Sequence, residues 1–518
     1  MAIWSRLANL FVPRTANRPR LSRTAPRAVP LRARYDNAQT GTDNYKHWAA
    51  ADALSADAAN SLSVRKRLRE RSRYERANNC YCAGLVQSMV HYEVGTGPRI
   101  EVRTANPGFN AMVERLWDAW SSAINLAEKV RTLVAARIVD GEAFALLVSK
   151  PVPEGEVGLD LVPIEADQVT TPQPMLELER NWIDGIRFDE FGYPVTYDVL
   201  DDHPGGLWRT TSFTARSVPA RMMLHLFRAD RPGQHRGVPE LTPALGLFAE
   251  MRRYTEAVIA AAETAAEWAV LLHTTSPPNQ EADEVAPLDS VEFERRMLTT
   301  LPAGWQATQI HPENPPAVFR EFRQELLGEM GRAVSVPRSL SSADSSDANF
   351  SSAKLDHLGY YRAVAVNQSQ IEARLLDRLF AAWFEEAVWR YGWDVPDSPA
   401  PRHEWRWIPP READEETLEN ARQTRIKSGA TSLRREFAAQ GLDYETELAA
   451  AAEDYGITVE DYKLRLLDAH FPPAPVPTLP EPTNEDRAQS RRAAEADGTA
   501  ASRLRASARS ASRRNGDQ

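Results

Sequence analysis

The sequence predicts a mostly helical α+β protein, and three patterns carry that expectation. Apolar residues recur at helical spacing over long runs: Ile371, Leu375, Leu379 and Trp383 form one stripe, with Leu376, Phe380, Phe384 and Val388 beside it. Period-two alternation is confined to the middle of the chain, where Ile186-Arg187-Phe188 and residues 195–199 flank the turn Asp189-Glu190-Phe191-Gly192. Proline and glycine close the runs, at Gly95-Thr96-Gly97-Pro98, Pro277-Pro278 and Gly392.

The elements follow in order. Every charged residue before Asp36 is an arginine, from Arg6 to Arg34. Residues 1–35 therefore read as a disordered basic arm, since the unbroken apolar stretch of a secretory signal is missing. Residues 36–95 read as helical. Within them 49–60 is rich in alanine and aspartate, and 64–79 alternates basic clusters with Glu70 and Glu75, the pattern of a solvated helix face. Helical spacing returns over 109–136, with Val113, Leu116, Trp117 and Trp120 on one side. Apolar runs at 138–148 and 159–164, together with the hairpin, supply the sheet.

Thr242-Pro243 is a good helix start, with a hydroxyl cap and proline in the first turn. Nothing breaks the pattern before Leu272, and alanines at 257, 260, 261, 262, 265, 266 and 269 crowd its second half. Alanine lets a second helix approach closely, from the same chain or from an adjacent subunit. A polar, proline-punctuated insert follows to about Pro316; residues 319–334 are helical and stop at Val336-Pro337. After a serine-rich loop comes the longest helical run, 355–391. Helices resume over 412–470 with breaks at Gly429 and Gly441. From Phe471 onward the chain is Pro-rich, then Arg/Ala/Ser-rich, and should be disordered.

At 518 residues the chain is long enough for roughly two to four structural units. A net charge of -10 argues against a tight or sequence-reading nucleic-acid binder, because phosphate neutralisation supplies most of such affinity. Cys80 and Cys82 flank Tyr81 with no other cysteine to complete a metal cage, so they read as buried free thiols of a reducing cytoplasm. No apolar run approaches the ~20 residues of a membrane-spanning helix.

Candidate chemistry is sparse. Ser351-Ser352-Ala353-Lys354 spells S-x-x-K, the nucleophile and base of penicillin-recognising enzymes, but no K-T-G follows it. Asp140-Gly141-Glu142 reads as a tight turn rather than a pair of catalytic carboxylates. The histidines show no metal-ligand spacing, and His225, on an apolar run, reads as a core histidine. Trp383 and Trp389 read as core, whereas Trp393, Trp405 and Trp407 could form an interface. No catalytic residue, metal site or cofactor is assigned.

Five short blocks, in order, resemble lambda-type tailed-phage portal proteins. They are Leu68-Arg69-Glu70-Arg71-Ser72-Arg73 with Asn78-Asn79 and Val94-Gly95-Thr96-Gly97; Asp140-Gly141-Glu142-Ala143-Phe144 with Pro163-Ile164-Glu165-Ala166-Asp167; Ile183-Asp184-Gly185-Ile186 with Gly192-Tyr193-Pro194-Val195-Thr196-Tyr197; Val218-Pro219-Ala220 through His225-Leu226-Phe227 to Pro232-Gly233-Gln234 and Arg236-Gly237-Val238-Pro239; and Asn349-Phe350-Ser351-Ser352-Ala353-Lys354. Lys354 stands where the family leads one to expect arginine, which keeps the charge and loses the fork geometry. Residues 471–518 lie outside the resemblance.

The resemblance implies a portal fold assembled as a homo-oligomeric ring, normally a dodecamer, at one capsid vertex. It maps 1–35 to an arm, 36–240 to an α+β wing, 241–272 to a stem helix, 273–318 to a clip and 319–334 to a second stem helix. Residues 335–352 become a tunnel loop, 353–470 helical wing and crown, and 471–518 a tail. Double-stranded DNA, held without sequence preference, would pass Arg338, Ser341, Ser342, Ser345, Ser346, Asn349, Ser351, Ser352 and Lys354. Subunits would meet through Ala257, Ala261, Ala262, Ala265 and Ala269. Implied partners are the terminase large subunit, the major capsid and scaffold proteins, and head-tail connector or tail proteins. The implied location is the virion, with assembly in the host cytoplasm and no membrane. Two rivals stay open: an S-x-x-K serine hydrolase, which would be a compact monomer, and a ring-forming adaptor that never touches DNA.

Overall fold

The computed structural model divides the chain into two units, Met1–Ser55 and Ala56–Gln518. It describes residues 45–153, 156–172, 181–206, 214–266, 270–274, 305–309, 319–346, 350–394, 400–408, 415–471 and a few positions between 485 and 503, with side chains outside that description over 264–274, 305–309, 350–353 and 415. The basic arm, most of the tail and most of 273–318 therefore lie outside the described residues. In the first unit, residues 45–50 form turns.

The second unit begins with α1 (Ala56–Ala59), α2 (Leu62–Asn78) and α3 (Cys80–Glu93). Asn79 separates the last two: its backbone is extended and its side chain accepts the N–H groups of Tyr81 and Cys82, satisfying donors that a helix start leaves free. Then come β1 (Arg99–Val102), α4 (Pro107–Ala123) and α5 (Leu126–Asp140). Gly141, at φ 89°, ends α5 in the left-handed conformation that glycine adopts without a Cβ penalty.

Next are β2 (Glu142–Ser149), β3 (Leu159–Ile164), β4 (Trp182–Ile183), β5 (Ile186–Phe188), β6 (Pro194–Leu200), β7 (Ala215–Pro219) and β8 (Met223–Phe227). They build two antiparallel sheets, β3-β2-β8 and β4-β5-β6-β7. The expected hairpin is the β5–β6 pair, its turn held by Asp189, whose carboxylate accepts from the N–H groups of Phe191 and Tyr193. Phe144, Val169, Ile186, Tyr197, Val199 and Met223 fill a small core of their own.

After the Pro/Gly connector come α6 (Leu245–Ala266), β9 (Val270–Thr274), β10 (Trp305–Gln309), α7 (Phe319–Ala333), α8 (Arg338–Ser342) and α9 (Phe350–Ile371). A five-residue π segment, Glu372–Leu376, joins α9 to α10 (Asp377–Tyr391), which ends at left-handed Gly392. Last are β11 (His403–Arg406), α11 (Glu415–Lys427), α12 (Leu433–Ala439), α13 (Tyr444–Asp454) and α14 (Val459–His470), with Gly429 and Gly441 at positive φ in the breaks. The long-range pairing of β11 with β1 closes the main core, where Trp117 meets Phe380 and Trp383 edge to face and Trp120 and Trp405 at a tilt. Among the described residues no helix is long and apolar enough to cross a membrane.

Several expectations need correction. The helix from Thr242 stops at Ala266 rather than Leu272, because Val270–Thr274 satisfies its backbone in an antiparallel ladder with Trp305–Gln309. In 49–60 the described helix is only Ala56–Ala59. Trp389 is exposed, while Trp405 is buried and Trp393 and Trp407 pack against the core of their own chain. Cys82 is buried as expected, but Cys80 is exposed. The largest correction concerns 64–79: Arg65, Arg69, Ser72 and Glu75, on one side of α2, are buried rather than solvated.

Candidate functional site

Residues 335–352, expected to form the DNA-facing loop, begin with local order. Ser335 turns at φ 62°, α8 runs over Arg338–Ser342, and Ala343 leaves it at φ 52°. Gly331 of α7 lets α8 pack close: a Cβ there would lie 2.7 Å from the Val336 carbonyl oxygen and 2.9 Å from Ser341 Oγ. Ser341 is accordingly buried, its hydroxyl donating to the Arg338 carbonyl, and it faces α7 instead of solvent. Ser342 donates to the same carbonyl at 2.7 Å.

Asp344 anchors the next turn. It accepts from Ser346 N and Oγ and from Gln324 Nε2 of α7, and the hydrogen bonds to Ser346 hold its carboxyl down at about 2. Ser345, Ser346 and Lys354 are exposed; Arg338 is exposed and pairs with Glu325 at 3.1 Å. Asn349 and the side chains of Ser351 and Ser352 lie outside the described residues, so the S-x-x-K reading falls there too. On α6, Ala257 and Ala262 are exposed and Ala261 is half-buried, while the side chain of Ala265 and all of Ala269 lie outside the description.

A second constellation lies at the root of α6, and the sequence reading missed it. Glu142, fully buried, accepts from Arg236 in a two-pronged bond (2.6 and 2.9 Å), from Arg69 at 3.0 Å, from His225 Nε2 at 3.2 Å and from the Gly237 N–H at 3.0 Å. Arg236 also reaches Asp184 at 2.9 Å, and Arg65 bonds the same carboxylate. Arg69 and Arg73 share Asp167, and Arg73 grips Asp140 with two parallel bonds of 2.7 and 2.8 Å. Four guanidiniums thus face four carboxylates, which is what makes burial of so much charge tolerable.

Burial opposes ionisation of Glu142, yet Arg236 and His225 hold its carboxyl well below the usual range. Burial pushes the His225 imidazole down to about 4 despite its bond to Glu142, so the neutral ring donates from Nε2 while stacking on Phe144 and Phe227. The core-histidine reading holds. The signal that could have exposed the network was present: Arg65, Arg69 and Arg73 recur every four residues on one helix face, and Asp140, Glu142, Asp167, Asp184 and Arg236 each sit in one of the five blocks.

The network positions backbone. Gly141 and Gly237 touch so closely that a Cβ on Gly237 would lie 2.0 Å from the Gly141 carbonyl oxygen. From there the chain passes Glu240, which joins Arg137 and Glu93 in a second buried cluster, and enters α6. Arg252 and Asn79 add further ties, from α6 to Glu75 of α2 and from the α2–α3 junction to the Phe248 carbonyl. The direction in which α6 leaves the α+β part is thereby fixed.

A cavity of about 570 Å³ lies beside the network, lined in part by Lys66, Arg69, Arg73, Asp167, His203 and Arg236. Glu165, Asp167 and His203 bring metal-ligand types together there. Arg73 already lies 2.8 Å from Asp167 and 3.3 Å from Glu165, so a guanidinium balances the charge a cation would need.

The family described as phage portal protein, lambda family, matches residues 44–368, an interval that contains all five blocks. No curated protein matches the chain by sequence. Solved structures similar to it include the virion of a native gene transfer agent particle, at 17% identity over 72% of this chain and 92% of the other with a TM-score of 0.43. The neck of an empty gene transfer agent particle computed with C6 symmetry gives 15% identity, 75% and 99% coverage and 0.44. An HK97-family phage portal protein from Corynebacterium diphtheriae gives 17%, 61%, 90% and 0.28.

Proposed function

Because the chain belongs to the lambda family of phage portal proteins, we propose that it forms the ring at a capsid vertex through which double-stranded DNA is packaged and ejected. The family match carries the reading, and the chain's chemistry is compatible with it. An acidic subunit suits a conduit in which DNA must slide, since each dense cluster of phosphate-neutralising cations would hold the duplex. The sequence has no Walker-type loop, so the motor is a separate terminase whose large subunit docks on the ring. Capsid and scaffold proteins contact the ring during assembly in the host cytoplasm, and connector or tail proteins replace the motor in the virion. We assign the chain no catalysis of its own.

In this reading the start of α8, the turn after α8 and the start of α9 face the duplex. Arg338, Ser345, Ser346 and Lys354 are exposed there, and Ser341, seated on Gly331, anchors the segment rather than lining the path. Short hydroxyls make weak contacts that position phosphate without trapping it. The alanine-rich surface of α6 provides part of the contact between subunits. Replacing both Arg338 and Lys354 by alanine should leave the oligomer unchanged by sedimentation while lowering the number of DNA-filled heads per assembled capsid. Full packaging by that double variant would remove this segment from the DNA path.

A further inference from the structure

We propose that the outward stripe of α9 packs against α6 of a second copy of this chain. This rests on the ring reading above and names the surfaces that would close it. Helix α9 buries Tyr360, Val364 and Ile371 inside its own subunit. Its opposite side should then be polar, as a solvated helix face is. Instead Leu355, Leu358 and Val366 are 70, 47 and 57% exposed, and with Arg362 they recur at intervals of three and four residues. An apolar stripe of this kind on the outside of a subunit marks an interaction surface.

Helix α6 offers the complement. Phe248 and Met251 seat the first half of the helix in its own subunit, while Glu256, Ile259, Ala260 and Glu263, further along it, form one exposed patch. The small Ala260 would receive leucine side chains, and the two glutamates would receive the guanidinium. Among the described residues Arg362, Glu256 and Glu263 have no ion pair within their own chain, so each keeps its charge for a partner. Both faces are open in one subunit, and they are different surfaces. Two unlike complementary patches make a head-to-tail contact, the type that closes into rings when the rotation permits.

The test measures the mass of the full chain in solution by analytical ultracentrifugation. Arg362→Glu should weaken assembly by roughly tenfold or more in concentration, and Glu256→Arg with Glu263→Arg should do the same. Combining all three reversals should restore it. Assembly unchanged by either reversal, or no recovery in the combined variant, would overturn the proposal. Should a charge variant fail to fold by circular dichroism, cross-linking decides instead: in a Cys80→Ser background, Leu358→Cys with Ala260→Cys should oxidise to a covalent ladder that neither single cysteine gives. No ladder would also overturn it. A wild-type chain that stays monomeric at every concentration would defeat the ring reading itself, a result distinct from intact rings in the charge variants.

Discussion

Glu142→Ala should cost the subunit about 3–5 kcal/mol, the loss expected when one partner of a buried ion pair is removed and the others stay. Arg69 and Arg236, both buried, would lose their shared carboxylate, and the Gly237 N–H would lose its acceptor. Urea unfolding of wild type and variant at equal protein concentration reads the difference. The sign with pH follows from linkage. Glu142 has its carboxyl held below the ordinary range, so its contribution is fully present above an unfolded value of about 4.3 and is lost as pH falls through the lower folded value. The cost should therefore stay constant from pH 8 to about 5 and shrink only in stronger acid. A cost under about 1 kcal/mol at neutral pH would mean that Glu142 is not the hub of the network.

Gly237→Ala should be the next most damaging change. The new methyl would lie 2.0 Å from the Gly141 carbonyl oxygen and 2.8 Å from Glu142 Cβ, and neither obstacle is the free end of a flexible side chain. Relief requires shifting the connector and with it the N–H that binds Glu142, so overpacking of about 3 kcal/mol is expected. Gly246→Ala is the control: nothing lies within 4 Å of its added Cβ, and alanine favours the helix, so it should be neutral or slightly stabilising. Equal unfolding midpoints for the two variants would contradict the tight crossing of the two backbones.

Much of this architecture is legible in the sequence wherever one periodicity dominates. The stripe from Ile371 to Val388, the β5–β6 hairpin and the stops at Gly392, Gly429 and Gly441 all stand where residue spacing and backbone chemistry put them. What stayed hidden depends on partners distant in sequence. Trp405 is core because β11 pairs with β1, some 300 residues away, and no local pattern carries that. Arg65 and Arg69 look like a solvated face because charge alone does not say whether a carboxylate waits across the interface. The helix from Thr242 looks unbroken because Val270, Leu271 and Leu272 suit either helix or strand, and their ladder partner decides. The expected DNA-facing segment was legible as a serine-rich break, but the inward turn of Ser341 follows from Gly331, which the pattern does not place beside it.

The central claim is that copies of this chain close into a ring around a path for duplex DNA. Single-particle imaging of the purified full-length chain tests it most directly. Closed rings are expected, near twelve-fold, with a central channel and with the turn after α8 lining it. A compact monomer, or an assembly without a central opening, would contradict it.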